Sequence, residues 1–153
     1  INELSIPIVA MGTQDLVIAA APDGILVADR ERSPQVKPYV DKLGGPIMYS
    51  EKSWGEYQII DVDDDSMTVK VTLLADHRMS YHAHKNHKEV WTILAGKGRV
   101  IIDDASRRVS AGDVVCIEPG VKHTIIAETD MKLIEVQSGE ELTVYDKEKF
   151  EIG

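Results

Sequence analysis

The sequence predicts a mainly β protein, a small sandwich or barrel of short strands, and three observations lead to this fold class. Over about residues 54–146, apolar and polar residues alternate in short runs. Turn residues recur there about every 8–12 positions, and no convincing long helical pattern interrupts the runs. The chain has 153 residues, of which 43% are hydrophobic, so it is long enough for one domain with a buried core.

Residues 1–43 are expected to form a short α/β extension ahead of the β region. Leu16–Ala21 and Ile25–Ala28 are apolar runs suited to strands, and the Pro-Asp-Gly between them predicts a turn. A Ser-Pro pair is typical of a helix start, so a helix is predicted from Pro34 to about Leu43. Residues 44–53 are interpreted as a linker to the β region.

The β region, residues 54–153, contains a series of strand and turn signals. Apolar residues alternate with other residues over Val69–Leu73, which predicts a half-buried strand. Val90–Ala95 and Arg99–Ile102 flank a Gly-Lys-Gly, which predicts a hairpin, and Asp103-Asp104 predicts a further turn. Four more strands are predicted: Val114–Ile117, Lys122–Ala127, Met131–Gln137 and Leu142–Tyr145.

Charge and cysteine content exclude several classes of protein. The chain has 17 Lys and Arg against 26 Asp and Glu, a net charge of −9, which argues against binding to nucleic acid or an anionic membrane. Its single cysteine, Cys116, excludes an internal disulfide and a cysteine-based zinc finger, and its apolar neighbours predict a buried, inert thiol. No apolar run reaches membrane-spanning length, so a cytoplasmic location is expected.

The histidines are concentrated in one part of the chain and suggest a metal site. All five lie between positions 77 and 123. If residues 79–84 form a strand, His82 and His84 share one face of it, and Glu89 opens the next strand. His123 follows a Pro-Gly pair at the start of another strand. Three imidazoles and one carboxylate suit a divalent transition metal that keeps open positions for a substrate.

Two stretches of the sequence resemble the two motifs of the cupin family. His82-x-His84-x4-Glu89-x6-Gly96 resembles the first motif, and residues 112–123, from Gly112 to His123, resemble the second. The resemblance implies a double-stranded β-helix (jelly-roll) barrel with one divalent transition metal inside, such as Zn, Mn, Co, Fe or Ni. The ligands it implies are His82, His84, Glu89 and His123. The chain departs from the family pattern at Asp76, Glu118 and Ala127, none of which is a ligand position.

A narrower resemblance covers nearly the whole chain. The stretches Trp54–Tyr57, Met79–His84, Glu89–Thr92 and Ile134–Gly139 resemble the type II mannose-6-phosphate isomerase module. This module is the C-terminal half of bifunctional mannose-1-phosphate guanylyltransferases, and residues 15–43 resemble the tail of their guanylyltransferase part. The resemblance implies interconversion of mannose 6-phosphate and fructose 6-phosphate in the formation of GDP-mannose. The glycine-rich phosphate loop is absent from this sequence, so guanylyl transfer is not expected from this chain alone.

An aldose–ketose isomerase needs a general base that moves a proton between two carbons. The candidates, in falling order, are His87, Glu135 and Lys122. His87 is interpreted first as a residue of the rim, with acid–base work as the alternative. The alternation around Glu135 does not decide whether that side chain points into or out of the barrel.

Basic residues near the ligand motifs are candidates for binding the substrate phosphate. They are Arg78, Lys85 and Lys88, with ordinary solvated charge as the alternative interpretation. The expected partners are therefore a sugar phosphate and, because cupin-like barrels often pair, a second copy of the chain in a homodimer.

Two other functions remain open at this point. Residues 139–153 lack the arginines that the isomerase family usually carries near its end, and His87 stands where the family often has arginine. These departures favour a non-catalytic cupin module that binds metal or sugar phosphate beside a guanylyltransferase. A different metal-dependent cupin, such as a dioxygenase, is the third candidate, since the fold alone does not choose a chemistry.

Overall fold

The computed structural model describes residues 1–43, 47–140, 142 and 146–151. The chain divides into two compact units, Ile1–Tyr49 and Ser50–Gly153. Part of the expected linker, residues 44–46, lies outside the described residues. Among the described residues, no helix has the length and apolar character needed to cross a membrane.

The first unit contains an antiparallel hairpin of two strands, β1 (Leu16–Ala21) and β2 (Gly24–Asp29). The register runs from Leu16 opposite Asp29 to Ala21 opposite Gly24, so only Pro22 and Asp23 lie in the turn. Gly24 has a φ of +155°, a backbone conformation that side chains rarely allow. The predicted pair of strands and the turn between them are confirmed.

The helix of the first unit is shorter than predicted. A 3-10 turn occupies Ser33–Gln35, and helix α1 covers only Lys37–Leu43. One continuous helix from Pro34 would place Pro38 in its interior, where proline cannot donate a backbone hydrogen bond and its ring clashes with the carbonyl four residues earlier. The chain avoids this by starting α1 one residue before Pro38, so that the proline falls in the first turn.

The second unit is built almost entirely from strands. In chain order they are β3 (Tyr49–Lys52), β4 (Gly55–Val62), β5 (Ser66–Leu73), β6 (His82–Ala83), β7 (His87–Ala95), β8 (Lys97–Ile102), β9 (Ala105–Ser110), β10 (Val114–Ile117), β11 (His123–Ala127), β12 (Met131–Gly139) and β13 (Glu148–Lys149). Six of them form one sheet in the order β10-β7-β12-β5-β4-β3, and five form another in the order β13-β6-β11-β8-β9.

Alternating apolar side chains from both sheets form one core. Leu73, Ile93 and Leu133 contribute from the six-stranded sheet, and Val100 and Ile125 from the five-stranded sheet, each at most 1% exposed. The predicted mainly β, jelly-roll class with a short N-terminal α/β extension is confirmed. In the described residues the two sheets remain separate hydrogen-bonded ladders and are not closed into one barrel.

The predicted hairpin around the Gly-Lys-Gly is wrong, because β7 and β8 belong to different sheets. Gly96 has a φ of +85°, and a Cβ there would lie 2.2 Å from the carbonyl oxygen of Asp130. The residue therefore turns the chain from one sheet into the other. The predicted turn at Asp103 and Asp104 is confirmed: both have positive φ, and they join β8 to β9 as a two-residue hairpin loop.

Three further expectations are not confirmed by the described residues. Only His82–Ala83 of the expected strand over residues 79–84 is in a ladder. Of the strand expected at 142–145, Leu142 is in no strand, and residues 143–145 lie outside the described residues. Cys116 is exposed rather than buried, because β10 turns Val115 and Ile117 towards the core and the thiol away from it.

Candidate metal centre

The four predicted ligands meet between the two sheets. His82 on β6 lies directly opposite His123 on β11, and His84 follows β6 by one residue. Glu89 comes from β7 in the other sheet, on the inward face of that strand. All four side chains are buried, and one potential ligand atom from each lies within 4.8 Å of the others.

The Glu89 carboxylate lies between the imidazoles. Its Oε1 is 3.0 Å from Nε2 of His84, and its Oε2 is 3.3 Å from Nε2 of His123. The indole N–H of Trp91, two residues along β7, donates a hydrogen bond of 2.9 Å to the same Oε2. Trp91 is fully buried, so it holds the carboxylate in one orientation.

Backbone carbonyls orient all three imidazoles in the same way. Nδ1 of His82 lies 2.6 Å from the carbonyl oxygen of Ser80, and Nδ1 of His123 lies 2.9 Å from that of Val121. Nδ1 of His84 contacts the carbonyl oxygen of Asp146. A carbonyl can only accept, so each Nδ1 carries the proton and each Nε2 keeps a lone pair for a metal.

The donor set fits a metal ion. The side chain of His123 is only 1% exposed, and its Nε2 has no hydrogen-bond partner among the described residues. A buried polar atom without a partner is costly unless something else satisfies it. Three imidazole nitrogens and one carboxylate are typical ligands of a divalent transition metal, so this cluster of buried residues can hold one.

The protonation states also suit metal binding. Burial, assisted by the charge of Lys147, lowers the pKa of His82 to about 3. Burial alone would raise the pKa of Glu89, but the neighbouring side chains of His123, His84 and His87 hold it well below its usual value. At neutral pH the carboxylate is therefore ionised and His82 is neutral, as metal ligands must be.

His87 does not lie at the rim, so that interpretation is wrong. It opens β7 on the same inward face as Glu89 and is 2% exposed. Its Nε2 is 3.6 Å from Oε1 of Glu89, and its Nδ1 is 3.3 Å from Oδ2 of Asp146. His84, His87 and Asp146 form a second cluster of potential ligands beside the first. The acid–base role of His87 stays a prediction.

Glu135 points into the core from β12, which answers the question that the sequence left open. It is 6% exposed, and its Oε1 accepts a hydrogen bond from the side-chain amide of Gln137, two residues further along the strand. The same amide lies 3.4 Å from Oε1 of Glu89. Burial and, next, the negative charge of Glu89 raise the pKa of Glu135 to about 8. Gln137 is thus a site residue that sequence reasoning did not single out.

A cavity of about 830 Å³ reaches the cluster. Its wall includes the side chains of His82, His84, His87, Glu135 and Gln137. Apolar residues such as Trp54, Tyr57 and Ile59 cover another part of it. The cavity therefore offers a small polar ligand access to His82 and His84, two of the four candidate metal ligands.

The structure places only one of the predicted phosphate-binding residues, Arg78, in this wall. Lys85 and Lys88 are exposed and do not line the cavity. Lys122, a candidate base, does not line it either, since its Nζ lies over the ring of Phe150 at 4.6 Å from the centroid. Lys88 lies on β7 between the inward-facing His87 and Glu89, so strand alternation directs its side chain to the outer face.

Three other cations in the wall were missed from the sequence: Lys52, Lys147 and Lys149. The last two belong to the segment around β13, which pairs with β6 beside the candidate ligands. The alternating Lys-Glu-Lys of residues 147–149 was the signal that could have identified them.

The chain is similar to curated proteins named mannose-1-phosphate guanylyltransferase. It is 28% identical over 153 residues to ManC from Salmonella typhimurium. The alignment covers 94% of this chain and 32% of that protein. It is 26% identical over 152 residues to the enzyme from Escherichia coli K12, with the same two coverages. The chain thus spans about a third of the length of these relatives.

Solved structures share the fold at low sequence identity. A protein with a double-stranded β-helix domain from Klebsiella pneumoniae has a TM-score of 0.57 and 14% identity, over 71% of this chain and 89% of that one. An RmlC-like cupin from Shewanella frigidimarina has a TM-score of 0.52 and 22% identity, over 64% and 80% of the two chains. At these identities the likeness concerns the fold alone.

The family model described as "Cupin domain" matches residues 56–148, which is more than half of the chain. The matched range contains both facing sheets except β3, the first residue of β4 and the last residue of β13, and it contains all four candidate metal ligands. The chain belongs to the cupin family.

Proposed function

We propose that the chain is the metal-dependent isomerase module of a bifunctional enzyme that forms GDP-mannose, and that it interconverts mannose 6-phosphate and fructose 6-phosphate. The observation that carries the proposal is the buried cluster of three histidines and one glutamate at a cavity lined by cations. The similarity to mannose-1-phosphate guanylyltransferases over 94% of the chain supports the choice of sugar.

The proposed metal is one divalent transition ion held by His82, His84, Glu89 and His123. When bound, such an ion supplies a Lewis acid that stabilises negative charge on a substrate oxygen. Trp91 keeps Glu89 aligned, and the carbonyls on Nδ1 keep the imidazoles aligned. The cavity wall then has to provide a group that moves the proton between C1 and C2.

Glu135 and His87 are the two candidates for that group that the cavity contains. A pKa of about 8 suits Glu135, because a general base works best when its pKa is close to the operating pH. The positive charge of Lys147 lowers the pKa of Glu135 and so favours the carboxylate form that accepts a proton. We therefore place Glu135 first and His87, held between Glu89 and Asp146, second.

A second function is supported by one observation. Residues 139–153 contain no arginine, whereas the isomerase modules that the sequence resembles usually carry arginines there. A cupin module that binds a metal ion and a sugar phosphate without turnover accounts for this difference. It would act beside the guanylyltransferase part of a longer enzyme.

The experiment that tests the proposal is a coupled assay of fructose 6-phosphate formation from mannose 6-phosphate. The chain is stripped of metal, and Zn²⁺, Mn²⁺, Co²⁺, Fe²⁺ or Ni²⁺ is added back in turn. We expect turnover that depends on the metal. It should be lost in His84→Ala, a variant that lacks one ligand and whose fold is checked by circular dichroism. Turnover in the metal-free chain contradicts the mechanism. A folded chain that binds metal without turnover supports the non-catalytic module.

A further inference from the structure

The cavity wall concentrates positive charge in a chain that is negative overall. The formal net charge of the chain is −9 at pH 7. Four cations nevertheless line this one cavity: Lys52, Arg78, Lys147 and Lys149. Among the described residues that line it, the only carboxyl group is that of Glu135. The wall is therefore cationic.

The register of β13 explains how two of the lysines reach the wall. Lys149 lies opposite the candidate ligand His82 in the β6–β13 ladder, and Glu148 lies opposite Ala83. Side chains alternate along an extended strand, so Lys147 and Lys149 share one face while Glu148 points the other way. Both lysines line the cavity, and Glu148 does not. Lys52, at the end of β3, contributes a third ammonium group from the other sheet.

No carboxylate in the described part of the chain lies within ion-pair distance of these three lysines. None of the ion pairs formed there involves Lys52, Lys147 or Lys149. Lys52 instead lies 5.6 Å from the ring centroid of Tyr57. The charges of Glu135 and Glu89 act on Lys147, and so do the like charges of Lys149 and Lys52, so these groups lie near one another. The three ammonium groups therefore lie near one another at the cavity, and no carboxylate of the described residues holds any of them in an ion pair.

We infer that Lys52, Lys147 and Lys149 form a subsite for a phosphomonoester dianion. A phosphomonoester brings close to two negative charges and three acceptor oxygens, one for each ammonium group. A carboxylate brings one charge and two acceptor oxygens, so one of the three ammonium groups would lack an acceptor. The inference rests on the proposed function and refines it: the substrate phosphate binds to these residues and not to Lys85 and Lys88, which do not line the cavity.

The test is calorimetric titration of inorganic phosphate into the whole metal-stripped chain at low ionic strength, where a metal–phosphate contact cannot contribute. Lys147→Gln/Lys149→Gln should raise the Kd for phosphate at least tenfold. The matched control, Lys85→Gln/Lys88→Gln, removes the same charge at two lysines that do not line the cavity and should change the Kd less than twofold. No phosphate binding by the unaltered chain, or equal losses in the two double variants, overturns the subsite.

A single variant on a different strand keeps the inference testable if the double variant misfolds. Lys52→Gln, with its fold checked by circular dichroism, should also raise the Kd for phosphate severalfold. An unchanged Kd removes Lys52 from the subsite and overturns the inference as stated.

The outcomes separate the subsite from the isomerase. If phosphate binding depends on the lysines but no metal gives turnover, the proposed isomerase activity fails and the subsite stands. If turnover is observed and Lys147→Gln/Lys149→Gln leaves the KM for mannose 6-phosphate unchanged, the isomerase stands and the subsite fails.

Discussion

At the scale of single residues, the orientation of Glu89 depends on Trp91. The indole N–H is the donor that contacts Oε2 of Glu89, the oxygen that also faces His123. Trp91 is two residues along the same strand and fully buried, so neither partner has room to rotate away. Its role is to present a preoriented carboxylate to the metal.

We predict that Trp91→Phe lowers metal affinity by about 10- to 100-fold, because such supporting hydrogen bonds typically contribute this much. Phenylalanine keeps most of the buried apolar surface but cannot donate to the carboxylate. Competition with a chromophoric chelator measures the affinity. Thr92→Ser, on the half-exposed outer face of the same strand, is the control and should bind metal normally. Equal affinities for Trp91→Phe and the control would contradict this role.

Glu135 and His87 compete for the role of general base, and kinetics can separate them. Glu135→Gln preserves size and can still pair with Gln137, but it cannot accept a proton. If Glu135 is the base, kcat should fall by about 10²- to 10⁴-fold while KM changes little. His87→Gln should then have a smaller effect on kcat. The reverse order of the two effects in steady-state assays would assign the base to His87.

Residue identities were predictable where a motif specified the spacing and less so elsewhere. The spacing of His82, His84, Glu89 and His123 led to one cluster, and the structure brings these four together. His87 was misplaced because its position was counted from the preceding histidines. Counting back from Glu89 along β7 puts it on the inward face. The lysines of β13 were missed because only tertiary pairing with β6 brings them to the site.

At the scale of elements, the segment leading into β13 is tied to the loop after β6 by Asp146. Its carboxylate accepts hydrogen bonds from the backbone N–H groups of Lys85 and Asn86, at 2.8–3.1 Å. Its backbone carbonyl contacts Nδ1 of His84. One residue therefore fixes a candidate ligand and also sets where the following lysines lie.

We predict that Asp146→Ala weakens both metal and phosphate binding, because the loop and the β13 segment lose their connection while His84 keeps its side chain. A loss of about tenfold in metal affinity is expected from the loosened imidazole. Asp146→Asn retains one acceptor oxygen for the loop and should recover most of the affinity. Calorimetric titrations of metal and phosphate measure both effects. Equal affinities of the alanine and asparagine variants would argue against this connecting role of the Asp146 carboxylate.

The elements themselves were predictable wherever alternation was clear, as over β5 and β12, but their pairing was not. The Gly-Lys-Gly after Ala95 has the composition of a hairpin turn, and yet Gly96 directs the chain into the other sheet. Local sequence reports that the chain turns. Which strand it joins afterwards is decided by core packing, here by Val100 and Ile125 across from Ile93 and Leu133.

At the scale of the whole molecule, positive side chains are grouped at one cavity although the net charge of the chain is negative. The acidic chain places Lys52, Lys147 and Lys149 on the wall of one cavity, which His82 and His84 also line. This separation favours entry of a small anion over binding of a large polyanion, for which clustered surface cations are needed. The expected homodimer stays a prediction that light scattering on the whole chain can test.

Metal binding should also stabilise the folded chain, because the ligands come from three separate segments that only the fold brings together. With free metal at about 100 times its Kd, the free energy of unfolding should rise by ~2.7 kcal/mol. For a domain of this size that corresponds to an increase in Tm of roughly 5–10 °C. Calorimetric scans of the stripped chain with and without added Zn²⁺ or Mn²⁺ measure the shift. His84→Ala, although destabilised by its own substitution, should show almost no further shift on adding metal. If its Tm rises as much as that of the unaltered chain, the ion binds elsewhere and the buried cluster is not the metal site.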